Sequence, residues 1–141
     1  EALALLFAAD RLDHLHQQIL PALRRGEVVL CDRYLLSSLV YQGLTTRPAW
    51  VSQINRLAVL PDLTLFIDVD PRTAAARRAK RGKEAELFED EQMQRKVAGR
   101  YRRVIRNRRR RERIISIDGT KSIEEVTAQA LKLIDRRTGV A

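Results

Sequence analysis

The sequence predicts an α/β fold in which helices cover a parallel sheet. Three short apolar runs, each typical of a strand buried on both faces, alternate with longer segments of helical spacing. No hairpin turn separates these runs, so helices connect the strands, which implies parallel strands with right-handed crossovers. The length of 141 residues and the hydrophobic fraction of 45% predict one domain over 1–141 with its own core.

The first predicted helix covers residues 2–25, because apolar residues recur there at 3.6-residue spacing and Gly26 ends the pattern. The residues expected to face the core are Leu5, Ala9, Leu12, Ile19 and Leu23. Pro21 lies inside the pattern and should kink or break the helix near Leu20, since proline has no N–H group. Residues 27–31, which are apolar from Val28 to Cys31, then form the first predicted strand.

In the middle of the chain, the spacing of apolar residues predicts two helical segments, at 37–44 and 49–60. A second strand is predicted after them, at 63–69. Pro71 suits the first turn of the next helix, at 72–80, because its fixed φ angle is already helical. The last predicted elements are a polar loop at 82–86, a long helix at 89–109, a strand at 113–117 and a final helix capped by Ser122.

The net charge of +9 is concentrated in one segment. Residues 100–113 contain nine arginines and one acid, Glu112, so this segment carries +8 and the rest of the chain +1. A protein that follows a nucleic-acid backbone would spread its charge over several elements. We therefore interpret the run as the solvated end of a helix and expect no nucleic-acid partner; an arginine-rich nucleic-acid-binding module is kept as the third hypothesis.

The composition excludes several other classes of protein. No apolar run approaches the roughly 18 residues of a membrane span. Cys31 is the only cysteine, which excludes an internal disulfide framework and fits a reducing cytoplasm. With His14 and His16 as the only histidines, we expect no zinc site.

The tripeptide Asp32-Arg33-Tyr34 follows the first predicted strand. A carboxylate at the end of a buried strand can hold a Mg²⁺-bound water beside a phosphate, and an adjacent arginine offers a planar fork that matches phosphate oxygens. The alternative is an aspartate that caps the next helix beside a solvated arginine.

Two further groups of residues suit a nucleoside. Phe7 and Arg11 lie four positions apart on one helix face, where a ring that stacks on a base would stand beside an arginine that bonds its edge. Side chains of a following helical segment offer hydroxyl, phenol and amide groups, which suit a sugar and a base edge; they are Ser37, Ser38, Tyr41 and Gln42. Core packing of the phenylalanine and an ordinary polar helix face remain the alternatives.

Basic residues continue from the helix at 72–80 into the following loop. Arg77 and Arg81 are four positions apart, and Lys83 follows them. Cations on a loop beside a phosphate site can close over a transferring phosphoryl group and offset its charge.

Together these segments resemble the thymidylate kinase family of P-loop nucleoside monophosphate kinases. The matching stretches occur in the family's order; they are LLFAADR at 5–11, VVLCDRY at 28–34, SSLVYQG at 37–43, PDLTLFID at 61–68 and IDG at 117–119. The resemblance implies transfer of the γ-phosphoryl group of MgATP to dTMP, which gives dTDP for dTTP synthesis. It also implies a cytoplasmic enzyme and a homodimer.

The resemblance assigns a role to each matching residue. Phe7 would stack on thymine, Arg11 would bond its edge, and Tyr41 would lie under the deoxyribose and disfavour a 2′-hydroxyl. Asp32 would lie near Mg²⁺, held through water, and Arg33 would grip the dTMP phosphate. The remaining implied positions are Ser37, Ser38 and Gln42 near the base, and Arg77, Arg81 and Lys83 in a lid at about 77–90 over ATP. Asp32, Arg33 and Arg81 would be catalytic.

Two departures from the family pattern qualify these expectations. Leu87 stands where many members carry an arginine, and no G-x-x-x-x-G-K-[ST] motif occurs in the chain. In the family, the strand before that motif lies between those ending at Asp32 and Asp68. We therefore expect the chain to be the C-terminal two thirds of a longer kinase, inactive by itself. The alternatives are a kinase for another nucleoside monophosphate and a non-catalytic or split relative.

Overall fold

The computed structural model describes residues 1–79 and 87–139. Its helices are α1 (Ala2–His14), a π-helical turn (Leu15–Ile19), α2 (Leu20–Arg24), α3 (Leu35–Thr45), α4 (Pro48–Ile54), α5 (Pro71–Ala79), α6 (Leu87–Arg108) and α7 (Ile123–Thr138); its strands are β1 (Thr64–Asp68) and β2 (Ile114–Asp118). None of the helices in the described part of the chain is long and apolar enough to cross a membrane. The chain divides into two compact units, 1–60 and 61–141, and the single domain stays a prediction.

The first unit is all helical, and its core uses a different face of α1 from the predicted one. Leu5 is half exposed and Ala9 is exposed, whereas Ala4 and Ala8 are buried. After α1, Leu15 continues the buried row, and Ile19 is buried as predicted. Apolar residues recur on both faces of this helix, so spacing cannot select between them. The small Ala4 and Ala8 side chains form the face that is buried in the folded unit.

The helix is not broken at Pro21, but its geometry changes just before that residue. The α-helical pattern changes to a π-helical turn over Leu15–Ile19, and α2 then begins at Leu20 with Pro21 in its first turn. The Leu20 N–H donates to the Leu15 carbonyl, five residues back. Because Pro21 has no N–H group, its place at the start of a new helical segment leaves no broken hydrogen bond inside α2.

The prediction of a first strand at residues 27–31 is wrong. Residues 27–31 have no strand structure, and the side chains of Val28 and Leu30 are 61% and 84% exposed. A strand requires a neighbouring backbone for its N–H and C=O groups. Among the described residues, β1 and β2 pair with each other, and neither pairs with this segment.

The second unit is built on a two-stranded parallel sheet, which confirms the predicted parallel pairing for β1 and β2. In its register, Phe66 pairs with Ser116 and Asp68 pairs with Asp118. One face is covered by α6, whose Tyr101 ring stacks on Phe66 with centroids 5.1 Å apart. Ile114 and Ile117 on β2 are buried, as are Val97 and Ile105 on α6.

The loop after β2 is held by local hydrogen bonds. The Thr120 N–H and hydroxyl donate to the Asp118 carboxylate at 2.9 and 2.6 Å, and these bonds lower the pKa of Asp118. The Gly119 N–H donates to the Asp68 carbonyl at 2.9 Å. Ser122 then caps α7 in a capping box with Glu125, which confirms the predicted cap.

Gly119 leaves no room for a side chain. A Cβ atom there would lie 2.3 Å from Cγ2 of Val69 and 2.7 Å from Cγ2 of Ile67. Gly119→Ala should therefore push β1 away from the loop and lower the free energy of unfolding by about 1–3 kcal/mol, as overpacking does in other cores. Urea denaturation measures this loss, and Gly99→Ala, where a Cβ would meet nothing within 4 Å, is the matched control. Equal stability of the two variants would contradict the tight approach.

Candidate functional site

A cavity of about 1110 Å³ opens in the first unit and collects all the predicted nucleoside-site residues of that unit. They come from α1, from the segment before α3 and from α3 itself; they are Phe7, Arg11, Asp32, Arg33, Ser37, Ser38, Tyr41 and Gln42. Helix spacing accounts for the contributions of α1 and α3, because residues three or four apart share a face. The placement of Asp32 and Arg33 depends instead on the irregular segment that joins α2 to α3.

Arg11 is the anchored cation of this cavity. Its guanidinium donates to the Asn55 side-chain oxygen and to the Ser38 hydroxyl, and both of these residues are only 5% exposed. Its charge also lies over the Tyr34 ring, 5.4 Å from the centroid. Burial lowers the pKa of Arg11, and burial raises the pKa of the Tyr34 phenol. Arg11 thus links α1 to α3 and to the end of α4 in one orientation.

Phe7 lies one helical turn before Arg11 and lines the same cavity. Its ring is 45% exposed, so it is not part of the core of the first unit. A half-exposed ring beside a fixed guanidinium can take the face of a planar ligand, while the arginine bonds the edge of the same ligand. This arrangement favours the base-binding interpretation over core packing.

Gln42 adds an unsatisfied acceptor to the cavity wall. Its side-chain oxygen is buried and has no hydrogen-bond partner among the described residues. A buried amide oxygen without a partner costs about 1–3 kcal/mol, so a ligand N–H group that reached it would recover that energy. A base edge that carries an N–H donor next to a carbonyl acceptor could bond both residues. Its N–H group would donate to Gln42, and its carbonyl oxygen would accept from Arg11.

Arg33 has a left-handed backbone conformation. Its φ angle is +63°, and it is the only non-glycine residue with a positive φ in the described part of the chain. Its guanidinium lies over the Tyr41 ring, 5.5 Å from the centroid. Left-handed backbone costs a non-glycine residue roughly 1–2 kcal/mol, and such strain concentrates at functional positions. The turn thereby directs an exposed cation to the cavity.

Asp32 is the exposed carboxylate beside Arg33 at the cavity. No group of three or more metal-ligating side chains occurs among the described residues. Mg²⁺ does not require such a group, because it commonly keeps several waters and binds through one carboxylate together with substrate phosphates. The single carboxylate therefore fits the expected water-mediated role, and Mg²⁺ held there would offset charge on the phosphates.

The predicted lid residues belong to the second unit. Arg77 donates from its guanidinium to the carbonyl oxygens of Gly119, Thr120 and Lys121 at 2.7, 3.0 and 3.4 Å. It therefore fastens α5 to the loop after β2 in this structure. Arg81 and Lys83 lie outside the described residues. The ATP-side role of all three stays a prediction.

A second, smaller cavity of about 380 Å³ lies at the carboxyl ends of β1 and β2. Asp68 and Asp118 lie there at paired positions of the two strands. Arg102 from α6 offsets their charge through an ion pair with Asp68 at 3.3 Å. Ligands of parallel sheets commonly bind at this edge.

Asn55 and Tyr34 are the site residues that the sequence analysis did not assign. Asn55 is buried at the end of α4, where its amide nitrogen donates to the Val51 carbonyl at 2.8 Å and its oxygen faces Arg11. A polar amide in a helical segment otherwise spaced for burial was the available signal. Its partner is 44 positions away, and no local pattern identifies such a pair.

Comparison with known proteins gives one consistent family. The family model for thymidylate kinase matches residues 1–130. The chain is 47% identical over 104 residues to a probable thymidylate kinase of Pyrococcus abyssi and spans about half (50%) of that protein's length. It is 42% identical to a probable thymidylate kinase of Pyrobaculum aerophilum over 94% of the chain and 67% of the relative. The thymidylate kinase of Finegoldia magna is 38% identical over 95% of the chain and 68% of the relative.

Proposed function

The chain belongs to the thymidylate kinase family, and from this premise we propose that the protein transfers the γ-phosphoryl group of MgATP to dTMP, giving dTDP and ADP. An oxygen of the dTMP phosphate would form the new bond to the γ-phosphorus as the bond to the ADP oxygen breaks. The observation that carries the choice of substrate is the anchored Arg11 beside the half-exposed Phe7 ring in one cavity.

The base end of the proposed site uses one face and one edge of thymine. Phe7 supplies the stacking surface, and Arg11 donates to a carbonyl oxygen of the base. The unsatisfied Gln42 oxygen supplies an acceptor for the base N–H group. Ser38 contributes indirectly, because its hydroxyl accepts a hydrogen bond from Arg11 and keeps the guanidinium in place. Ser37 lines the same wall.

The phosphate end of the proposed site uses the turn before α3. Arg33 grips the dTMP phosphate through its planar guanidinium, and Asp32 holds the hydrated Mg²⁺. The Tyr41 ring, which supports Arg33, would lie under the sugar and leave no space for a 2′-hydroxyl group. Catalysis of phosphoryl transfer is mostly positioning and charge stabilisation, and these residues supply both.

The cations on the ATP side of the reaction are those that family membership implies. Arg77, Arg81 and Lys83 would provide the lid cations, of which Arg81 would neutralise charge on the transferring group. The cytoplasm as the location and a homodimer as the assembly are part of the same proposal, and both rest on family membership.

The experiment that tests this function is a coupled assay of ATP turnover with the purified native protein. We expect turnover that depends on dTMP and Mg²⁺, with lower kcat/KM for dUMP, dCMP and dGMP. Preference for another nucleoside monophosphate would favour the second hypothesis, a kinase of different specificity. Binding of dTMP without any turnover would indicate a non-catalytic relative.

Phe7→Ala tests the base pocket separately from the chemistry. If the ring stacks on thymine, dTMP affinity should fall by about 1–3 kcal/mol, the typical value of one base–aromatic stack. Isothermal titration calorimetry measures the change, and circular dichroism verifies the fold. Leu6→Ala, at an adjacent residue on α1 that is 66% exposed, is the matched control. Unchanged dTMP affinity in Phe7→Ala would place the base elsewhere.

A further inference from the structure

Asn55 is a buried polar residue that contacts the wall of the large cavity through Arg11. It lies at the end of α4 and is only 5% exposed, so its amide depends on protein partners. Both polar atoms of the side chain have such a partner: the nitrogen donates to the Val51 carbonyl at 2.8 Å, and the oxygen accepts from Arg11. A buried amide that is satisfied at both ends is held in one orientation.

The Val51 carbonyl decides which end of the Asn55 amide faces Arg11. A carbonyl oxygen can only accept a hydrogen bond, so the amide nitrogen is the end that lies against it. The amide oxygen is therefore presented to the guanidinium, which can only donate. Val51 has no exposed surface and belongs to α4. The acceptor for Arg11 thus rests on a buried part of a helix.

Two hydrogen bonds from different nitrogens fix the direction of the Arg11 guanidinium. Its Nη1 donates to Asn55, and its Nη2 donates to the Ser38 hydroxyl. One bond would let the planar group turn about that contact, whereas two bonds at different corners set its direction. The Tyr34 ring restricts it further, with the guanidinium carbon 5.4 Å from the ring centroid. The remaining N–H groups of Arg11 are therefore fixed in the cavity wall.

A donor that cannot move selects between base edges. In the proposed function, Arg11 donates to a carbonyl oxygen of thymine; cytosine carries an amino group, itself a donor, in the place of the O4 oxygen. Two donors that face each other both lack an acceptor, and this cost rejects cytosine as long as the guanidinium cannot turn away. The cavity of about 1110 Å³ gives a released arginine side chain room to turn. The rejection of cytosine therefore depends on the residues that hold Arg11.

Of the two acceptors that hold Arg11, Asn55 has the narrower geometry. The Ser38 hydroxyl rotates to suit its donor, whereas the Asn55 amide is planar and is fixed at its other end by Val51. We propose that Asn55 is a positioning residue for base specificity: by holding Nη1 of Arg11, it makes the kinase reject cytosine nucleotides in favour of thymine nucleotides. This inference rests on the proposed function, since it deepens the role of Arg11 at the base edge.

The test compares kcat/KM for dTMP and for dCMP in the purified native protein and in two variants. Asn55→Leu removes both hydrogen bonds of the amide, so the ratio of the two kcat/KM values should fall about tenfold, the low end for a bond to a charged group, because Ser38 still holds the other nitrogen. Asn55→Asp loses the donor to Val51 but keeps an oxygen toward Arg11, so its ratio should stay near that of the unchanged protein. A merely structural role would lower the amount of active enzyme for both substrates and leave the ratio unchanged in both variants.

The matched control is Gln53→Leu, which removes an exposed amide from the same helix and should leave the ratio unchanged. An unchanged ratio in Asn55→Leu, or an equal fall in Asn55→Leu and Asn55→Asp, would overturn the assignment. Equal kcat/KM for dTMP and dCMP in the unchanged protein would contradict the proposed function, and the role of Asn55 in base selection with it.

One measurement on the native protein needs neither a nucleotide nor a substitution. The ¹⁵N relaxation of the Arg11 Nε–H group should give an order parameter near about 0.85, the value of a rigid backbone. A value below about 0.6 would mean that the guanidinium moves freely, and it would overturn the proposal even if neither Asn55 variant folded. Because this result does not depend on which nucleotide is phosphorylated, it separates a failure of the positioning from a failure of the proposed function.

Discussion

Replacing Arg33 by alanine is expected to lower kcat/KM for dTMP by about 10³-fold, the low end of what an arginine contributes to phosphoryl transfer. The residue combines three properties: an exposed guanidinium at the cavity, support from the Tyr41 ring and a left-handed backbone. Arg33→Lys should recover only part of the activity, since an ammonium group lacks the planar fork. Steady-state kinetics with dTMP as the varied substrate measures both variants.

The variant Arg33→Gly distinguishes the effect of the backbone conformation at position 33 from the effect of the arginine side chain. Arg33→Gly should be as inactive as Arg33→Ala, but more stable by about 0.5–1 kcal/mol, because glycine adopts a positive φ without strain and loses only part of that gain to greater freedom when unfolded. Urea denaturation gives the comparison. Arg24→Ala, at an exposed arginine of α2, controls for general loss of charge. Full activity in Arg33→Ala would remove the residue from the proposed mechanism.

Replacing Arg11 by methionine is expected to destabilise the first unit by about 2–4 kcal/mol. Methionine keeps much of the length of the side chain but has no N–H groups, so the buried Ser38 hydroxyl and Asn55 oxygen lose their donor. A buried polar group without a partner costs about 1–3 kcal/mol, and two such groups are affected. The loss is measured by urea denaturation followed by circular dichroism.

The same variant has a second consequence for ligand binding. If Arg11 bonds the base edge, Arg11→Met should bind dTMP more weakly than Phe7→Ala does. The substitution removes a charged hydrogen-bond donor to the base, and it also removes the hydrogen bonds that hold Ser38 and Asn55 in the cavity wall. Arg24→Met is the matched control and should change neither stability nor binding by more than about 0.5 kcal/mol. If Arg11→Met proved as stable as that control, the bonds to Ser38 and Asn55 would not hold the helices together.

Several parts of the fold were predictable because they depend on nearby residues. Ser122 and Glu125 form their capping box across three positions, and Pro71 begins α5 through its own φ angle. The shared surface of Phe7 and Arg11 was predictable for a similar reason, since their spacing on α1 places both on one helix face. The predicted parallel direction of β1 and β2 is also confirmed, because apolar runs joined by helices leave little choice but parallel strands.

Other parts were decided only by tertiary structure. Residues 27–31 have the composition of a strand, but strand structure needs a neighbouring backbone, and among the described residues this segment has none. The buried face of α1 was misassigned because both faces carry apolar residues, and packing in the folded unit selects the row with Ala4 and Ala8.

By itself the sequence determined the helical segments, the caps and the residue types available to bind a nucleotide, since these depend on spacing and composition. Tertiary structure determined what those residues do together. It paired Arg11 with an asparagine 44 positions away and fastened Arg77 to the loop after β2, 42 positions away at Gly119. Such contacts follow from which surfaces pack together, and packing is a property of the whole folded unit that no local pattern encodes.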